Sequence, residues 1–332
     1  MKILAIESSC DDTGVSVSEG RKILSNVLAS QIEIHRKYGG VVPEIAARKH
    51  LEIISYLVQE ALQKAELSVS DIDVFAATYG PGLVGSLLIG LSFAKGLAIS
   101  ESKPFVAVNH LYGHIFSNFL SFPHLEFPYI VLLVSGGHTE ILIVRSYDDI
   151  TKIGKTIDDA AGEAFDKIAR ILGLNYPGGP EIERIADGGK EIYKFPRPLS
   201  KKDNFDFSFS GLKTSVLYFL KKNRDKFDIK DIAYSFQEAI VDVLTQKVFG
   251  AARKNKVKNI VFAGGVAENK RLRERAEEIA IVEKVNIYFP PLSQCTDNAA
   301  MIAIAANEKI QKREEYSPLS TNAIPYLDIE ND

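Results

Sequence analysis

The sequence predicts an α/β fold in two lobes built on a duplicated core. Three observations carry this. At 332 residues the chain is too long for one simple core. Short apolar β-type runs alternate along it with amphipathic helical stretches. The strand, small polar turn and strand of "KILAIESSCDDTGVSVSEG" return near residue 130 as "YIVLLVSGGHTEILIVRS", the pattern of a diverged internal repeat.

Taken in order, the first of those hairpins is followed by "GGVVPEIAARKHLEIISYLVQEAL", a loop and then a helix. Pro43 suits its first turn, and Ile53, Leu57 and Leu62 form part of an apolar stripe. "DIDVFAATYGPGLVGSLLIGLSFAKGLA" reads as strand, Gly/Pro loop and helix. "PFVAVNHLYGH" reads as a strand, then Asn109 as N-cap, then a helix bearing histidines. "TIDDAAGEAFDKIARILGL" is a further helix, and "KNIVFAGGVAENKRLRERAEEI" is strand, Gly-Gly turn and helix. The polar tail "KREEYSPLSTNAIPYLDIEND" is expected to be a loose terminus.

Composition narrows the setting. The 46% apolar fraction suffices for buried sheets, and no run approaches the roughly 18 apolar residues of a membrane span. "MKILAIESSCDDTG" lacks the order of a signal peptide. Two cysteines, Cys10 and Cys295, fit a reducing cytosol better than a disulfide framework, so a cytoplasmic protein with no membrane partner is expected. With a net charge of −3, a nucleic-acid partner must use local basic patches or another subunit. "ARKNKVK", "NKRLRER" and "RPLSKKD" are candidate patches, or simply solvated faces.

Glycine-rich turns follow several strands: Ser135-Gly136-Gly137, Gly178-Gly179-Pro180 and Gly264-Gly265. Glycine lets backbone N–H groups approach an anion, and a helix N-terminus adds a favourable dipole. Together these turns point to a bound nucleotide, although neither a P-loop nor a G-x-G-x-x-G after the first strand is present. Asp11 and Asp12 sit on the first hairpin tip, where Asx-turn chemistry competes with catalysis as their explanation. Asp158, Asp159, Glu163 and Asp166 lie in the "TIDDAAGEAFD" helix, where a solvated face is the plainer alternative.

His110 and His114 are two of six histidines and stand four positions apart, so both imidazoles project from one helix face. They are either packed histidines or part of a metal site. HLYGH is not H-E-x-x-H: Leu111 stands where a metalloprotease has its base, so a zinc peptidase is disfavoured while metal binding is not. The helix N-terminus should keep the imidazoles neutral and available to a cation. A third ligand must come from elsewhere. Asp297 in "QCTDNAAM" offers one, but alone it reads as an acid at a helix start.

As an ordered set, "AIESSCDDTG", "YGGVVPEIAARKH", "GPGLVGSLLIG", "NHLYGH", "LLVSGGHTE", "DDAAGEAFDKIARILGLNYPGGP", "FSFSGLKT", "AGGVAEN" and "CTDNAAM" closely resemble the bacterial tRNA N6-adenosine threonylcarbamoyltransferase (TsaD) family, from residue 3 to about 305. The resemblance implies a two-lobed actin/hexokinase/Hsp70-like ATPase fold with the lobes facing a cleft, here residues 1–109 with 300–332 and residues 110–299. It implies transfer of threonylcarbamoyl from threonylcarbamoyl-AMP to the N6 amine of the adenosine 3′ of the anticodon, in tRNAs that read codons beginning with A. It places a metal, iron(II) or zinc, on His110, His114 and Asp297. It places the donor on Leu133, Val134, Ser135, Gly136 and Gly137, with further contacts at Asp166, Gly179 and Asn269. Glu183 occupies a contact position that is often Asp in the family, and Asp12 replaces the Glu of the usual "CDET". The Arg-rich C-terminal motif of the family is replaced by "TNAIPYL".

These assignments leave the chain little covalent work. AMP is an activated leaving group, so no nucleophilic side chain is needed; the site must align the amine and stabilise charge on the carbamoyl oxygen. Asp11 is the candidate for managing the amine proton. The implied partners are tRNA, an upstream adenylate-forming synthase, a TsaB-like paralogous subunit and a TsaE-like P-loop ATPase. A sugar kinase or ATPase of the same fold, and a non-catalytic scaffold subunit, are the rival readings. A kinase does not need a two-histidine site, and a scaffold does not need to retain it.

Overall fold

A computed structural model describes residues 1–199, 204–223, 227–313 and 316–331. They form two compact units, residues 1–125 with 296–332 and residues 126–295. The histidine segment thus packs with the first unit. The sequence reading assigns 110–125 and 296–299 to the second lobe; the helix Ala299–Arg313 packs against His110–Phe116, and both segments lie in the first unit.

In the first unit β1 (Lys2–Glu7), β2 (Asp12–Glu19), β3 (Lys22–Ser30), β4 (Val74–Gly80) and β5 (Phe105–Asn109) form one sheet in the order β3-β2-β1-β4-β5. β1 is antiparallel to β2 and parallel to β4: Leu4 pairs with Val17 on one side and Phe75 on the other. Helices α1 (Pro43–Lys64) and α2 (Val84–Ser100) pack on one face, against Leu4, Ile6, Val15 and Val17. Pro43 opens α1 as expected. Its buried stripe is Ala46, His50, Ile54, Leu57, Val58 and Ala61, flanked by the partly buried Ile53 and Leu62. On the opposite face Gly14 meets Ala299 of a returning helix, Ala299–Arg313, which packs on β1, β2 and the short α3 (His110–Phe116).

The second unit repeats the plan. β6 (Tyr129–Val134), β7 (Thr139–Val144), β8 (Ile150–Lys155), β9 (Asn259–Ala263) and β10 (Asn286–Tyr288) are ordered β8-β7-β6-β9-β10, with β6 antiparallel to β7 and parallel to β9. Val131 pairs with Leu142 and Val261, as Leu4 does with Val17 and Phe75. Strand order and sense are the same in both sheets, which bears out the duplication. Helices α4 (Ala161–Ile171), α5 (Gly178–Ala186), α6 (Ser210–Asn223), α7 (Ile229–Asn255) and α8 (Lys270–Glu283) complete this unit around a core that includes Phe165, Phe236 and Leu244. Asp158 and Asp159 precede α4 instead of lying within it. Asp158 accepts hydrogen bonds from the Ser208 and Ser210 hydroxyls and from the N–H groups of Phe209 and Ser210, so its carboxylate ties down the start of α6. Among the described residues no helix is long and apolar enough to cross a membrane.

The described part of the tail is not loose. Ser317 N–H donates to Phe105 O and its hydroxyl accepts from Ala107 N–H, occupying the free edge of β5. Ile324 N–H donates to Tyr79 O, and Leu327 and Ile329 are buried. The polar residues that suggested solvent are spaced around these anchors. Leu327→Ala is expected to cost about 2 kcal/mol, the low end for a buried leucine because the site lies at the rim of its core. A lowered denaturant midpoint at unchanged slope would show it; a loose terminus would leave the midpoint where it is.

Candidate metal centre and donor-binding turn

The carboxyl ends of the parallel strands β1, β4 and β5 are where an open α/β sheet presents ligand-binding groups. Here they supply Glu7, Thr78 and, one residue past β5, His110. Asn109 caps α3 as expected, its side-chain oxygen accepting from Leu111 N–H at 2.9 Å. One turn on, His114 stands edge-on to His110, with ring centroids 4.8 Å apart. The loop before Ala299 brings in Asp297. Its Oδ1 lies 3.1 Å from His114 Nε2 and 3.5 Å from His110 Nε2. One candidate ligand atom from each of the three residues falls within 4.8 Å of the others.

The remaining ring nitrogens differ. His110 Nδ1 lies 3.1 Å from Glu7 Oε2 and 3.2 Å from the Ser9 hydroxyl. His114 Nδ1 is buried and has no hydrogen-bond partner among the described residues. Burial acts to lower the pKa of His110, but the Asp297 and Glu7 carboxylates outweigh it and raise it to about 9. The neutral imidazole expected from the helix N-terminus is therefore overridden at His110, because two carboxylates act on it at closer range than the dipole. A half-buried carboxylate beside two imidazole Nε2 atoms is the donor set a divalent transition metal takes, so the residues fit such an ion.

The β1–β2 turn beside this cluster is held through its backbone. Leu83 N–H donates to Ser9 O, His50 Nε2 and the Ser86 hydroxyl donate to Cys10 O, and Gln31 N–H donates to Asp11 O. The Thr13 hydroxyl donates to His50 Nδ1 at 2.7 Å, which completes that imidazole. Asp11 and Asp12 are half-buried. Burial is the main reason the Asp12 carboxyl is raised to about 7; a hydrogen bond from Ser30 opposes this, while Asp11, Asp297 and Glu7 add to it. An unfolded aspartate titrates near 4 (about 3.9). Between there and about 7 the folded chain holds the extra proton, so stability falls as pH rises through that window. Asp12→Asn, melted in chelator from pH 4 to pH 8, should flatten that slope. An unchanged slope would show that Asp12 does not carry it.

In the second unit β6 ends in Leu133 and Val134, both fully buried, and the chain emerges at Ser135, Gly136 and Gly137. Ser135 N–H donates to His138 O, and the Ser135 hydroxyl accepts from His138 N–H. Neither Gly136 nor Gly137 has positive φ, and a Cβ on either would meet open space. The tight positions are elsewhere. Gly264 has φ +88°, and a Cβ there would lie 2.5 Å from Val134 O. A Cβ on Gly162, at the start of α4, would lie 2.6 Å from Ser135 O.

Asp166 and Glu163 do not act as a pair. Glu163 binds Lys167, and Asp166 Oδ1 accepts from Gly178 N–H at 2.6 Å, fixing the start of α5 beside Gly179. Further along α5, Glu183 accepts from Asn269 Nδ2 at 3.0 Å and from Lys270 N–H. Asn269 also donates to Gln237, and its own oxygen caps Leu272 N–H. The structure therefore links the 135–137 turn to α4, α4 to α5, and α5 to Asn269. Of the basic clusters, Arg271 is bound to Glu238 and Arg275 to Glu278, while Arg273 donates to Ala267 O and Pro290 O. Arg253 pairs with Glu283, and Arg197 with Asp242 and Glu191. Residues 200–203 of "RPLSKKD" lie outside the described residues. Glu7, Gly162 and Gln237 carry no signal of their own in the sequence, beyond the position of Glu7 at the end of an apolar strand.

Fold and side chains define a class: a duplicated α/β protein with a cluster of two imidazoles and one carboxylate that could hold a cation. The fold is also that of HypF. The chain superposes with TM-score 0.64 and 15% identity on full-length HypF in its phosphate- and nucleotide-bound form, covering 94% of this chain and 56% of that one. For T. kodakarensis HypF the TM-score is 0.64 at 17% identity, covering 93% of this chain and 48% of that one, so the chain spans about half the length of these structures. The family model for TsaD, tRNA N6-adenosine threonylcarbamoyltransferase, matches residues 22–304. Proteins of that description are 67% identical in Kosmotoga olearia over 99% of both chains, and 52% identical in Thermosipho africanus over 99% of this chain and 100% of the other. The chain belongs to the tRNA N6-adenosine threonylcarbamoyltransferase family, and is thus a transferase of tRNA modification.

Proposed function

We propose that the protein moves the threonylcarbamoyl group of threonylcarbamoyl-AMP onto the N6 amine of the adenosine 3′ of the anticodon, in tRNAs that read codons beginning with A. The observation that carries this, beside family membership, is the convergence of His110, His114 and Asp297. These residues hold a divalent transition metal, iron(II) or zinc. When bound, it supplies a Lewis acid and a fixed positive charge.

The chain's own work is positioning. The N–H groups of Gly136 and Gly137 receive donor oxygens, as such turns do, while Ser135 N–H closes the turn onto His138 O. Asp166 and Gly162 shape that region from within, since Asp166 accepts from Gly178 N–H and α4 begins against Ser135. Glu183 and Asn269, joined to each other, form the adenylate-binding side of α5. Asp11 takes the amine proton late in attack, because an exocyclic adenine amine is too weak a base to lose it first. The backbone bond from Gln31 to Asp11 keeps that residue in place. tRNA, a TsaB-like subunit, a TsaE-like P-loop ATPase and a synthase that makes the adenylate complete the system, in the cytoplasm.

The test is reconstitution. The protein, its partner subunits and the synthase are incubated with tRNA, threonine, bicarbonate and ATP, and the tRNA is digested. Threonylcarbamoyl-adenosine is expected. Its absence, with every partner shown active alongside a related transferase, would reject the proposal.

A further inference from the structure

Glu7 is fully buried at the end of β1, where a carboxylate needs compensation. Among the described residues, its hydrogen-bond partners are the Ser9 N–H at 2.6 Å on Oε1, and on Oε2 the Thr78 hydroxyl and His110 Nδ1 at 3.1 Å. None is a lysine or an arginine. An imidazole meets a carboxylate acceptor through an N–H, so His110 carries its proton on Nδ1. With a cation in the cluster its Nε2, which faces Asp297, is the nitrogen that binds it. The Ser9 hydroxyl, 3.2 Å from the same Nδ1, is the competing partner, since a donated O–H would favour the opposite tautomer. The carboxylate wins as acceptor because a charge-assisted hydrogen bond is roughly twice as strong as a neutral one.

The geometry points to Glu7 as the positioning residue of the metal centre: it orients His110, fixes its tautomer and supplies the second negative charge. With Asp297 it brings two carboxylates to the imidazoles, the charge that a divalent cation neutralises. This rests on the reading of His110, His114 and Asp297 as metal ligands. Carboxylates that hold a ligand imidazole in this way change metal affinity about 10- to 100-fold when removed.

The test uses zinc and the full chain. Zinc affinity is measured by chelator competition for wild type, Glu7→Gln, Glu7→Asp and the His110→Ala, His114→Ala double variant. The His110 tautomer is read by nitrogen NMR of the zinc-loaded wild type. Glu7→Gln is expected to weaken zinc binding by about 10- to 100-fold at unchanged AMP affinity, and Glu7→Asp to recover part of the loss. Zinc binding by Glu7→Gln equal to wild type, while the double variant loses it, would overturn this inference and leave the metal site standing. Equal zinc binding by wild type and the double variant would overturn both. Should Glu7→Gln not fold, the tautomer decides: Nδ1–H supports the role of Glu7, and Nε2–H overturns it.

Discussion

His114→Ala will leave a protein that binds AMP as wild type does and transfers almost nothing. His114 is buried in the first unit, and its Nε2 lies 3.1 Å from Asp297. Removing it leaves His110 and Asp297, two ligands where a protein-held zinc takes three or four. The 135–137 turn, Asp166 and Asn269 belong to the second unit and are left unaltered. Loss of an electrostatic stabiliser from an acyl-transfer site costs roughly 100- to 1,000-fold in turnover. Calorimetry with AMP, metal content, circular dichroism and single-turnover transfer from supplied threonylcarbamoyl-AMP read the parts separately. Equal loss of AMP binding and transfer, with the fold intact, would show that the imidazole serves the nucleotide and not the metal.

Gly162→Ala should fail in the opposite way. An added methyl would stand 2.6 Å from Ser135 O, 2.8 Å from Gly136 Cα and 2.9 Å from Gly136 N. All three are backbone atoms, so the turn itself must move. Overpacking of this kind costs about 1–3 kcal/mol, which, expressed wholly as lost affinity, is about 5- to 150-fold. AMP binding should weaken by that factor while metal content stays at the wild-type level. Gly137→Ala is the control: its Cβ meets no protein atom, so any loss there reports crowding of the ligand. Wild-type AMP affinity in Gly162→Ala would remove the 135–137 turn from the adenylate site.

The contrast between these glycines marks what a sequence can and cannot disclose. Gly136 and Gly137 stand out because they follow an apolar strand, yet neither needs a glycine's backbone freedom. Gly162 hides inside a helical pattern, and its requirement comes from a turn 27 positions earlier in the chain. The sheets were legible because the strand–turn–strand pattern recurs locally and each strand is a continuous apolar run. The histidine pair was legible because helical spacing is local too. Asp297 was not: periodicity gives it only the look of an acid at a helix start, and family resemblance alone had marked it. The packing of Ala299–Arg313 against α3 and β1 brings it to the imidazoles. Glu7 was missed because the partners that define it, Thr78 and His110, lie 71 and 103 positions away. The tail misled because its few apolar anchors are diluted by polar residues.

The first unit is completed by the returning segment 296–332, whereas residues 126–295 are continuous. On a ribosome, domains fold as units in order of emergence. The first strands and both histidines emerge early, but their third partner follows only after the whole continuous unit has been made. During synthesis the nascent chain therefore carries the two imidazoles without their carboxylate, and on the proposed metal reading tight capture of a cation becomes a nearly post-translational event. A fragment stopped before Thr296 should fold its second unit, leave its first unfinished and retain no metal. Metal retention then reports that the C-terminal segment has come home.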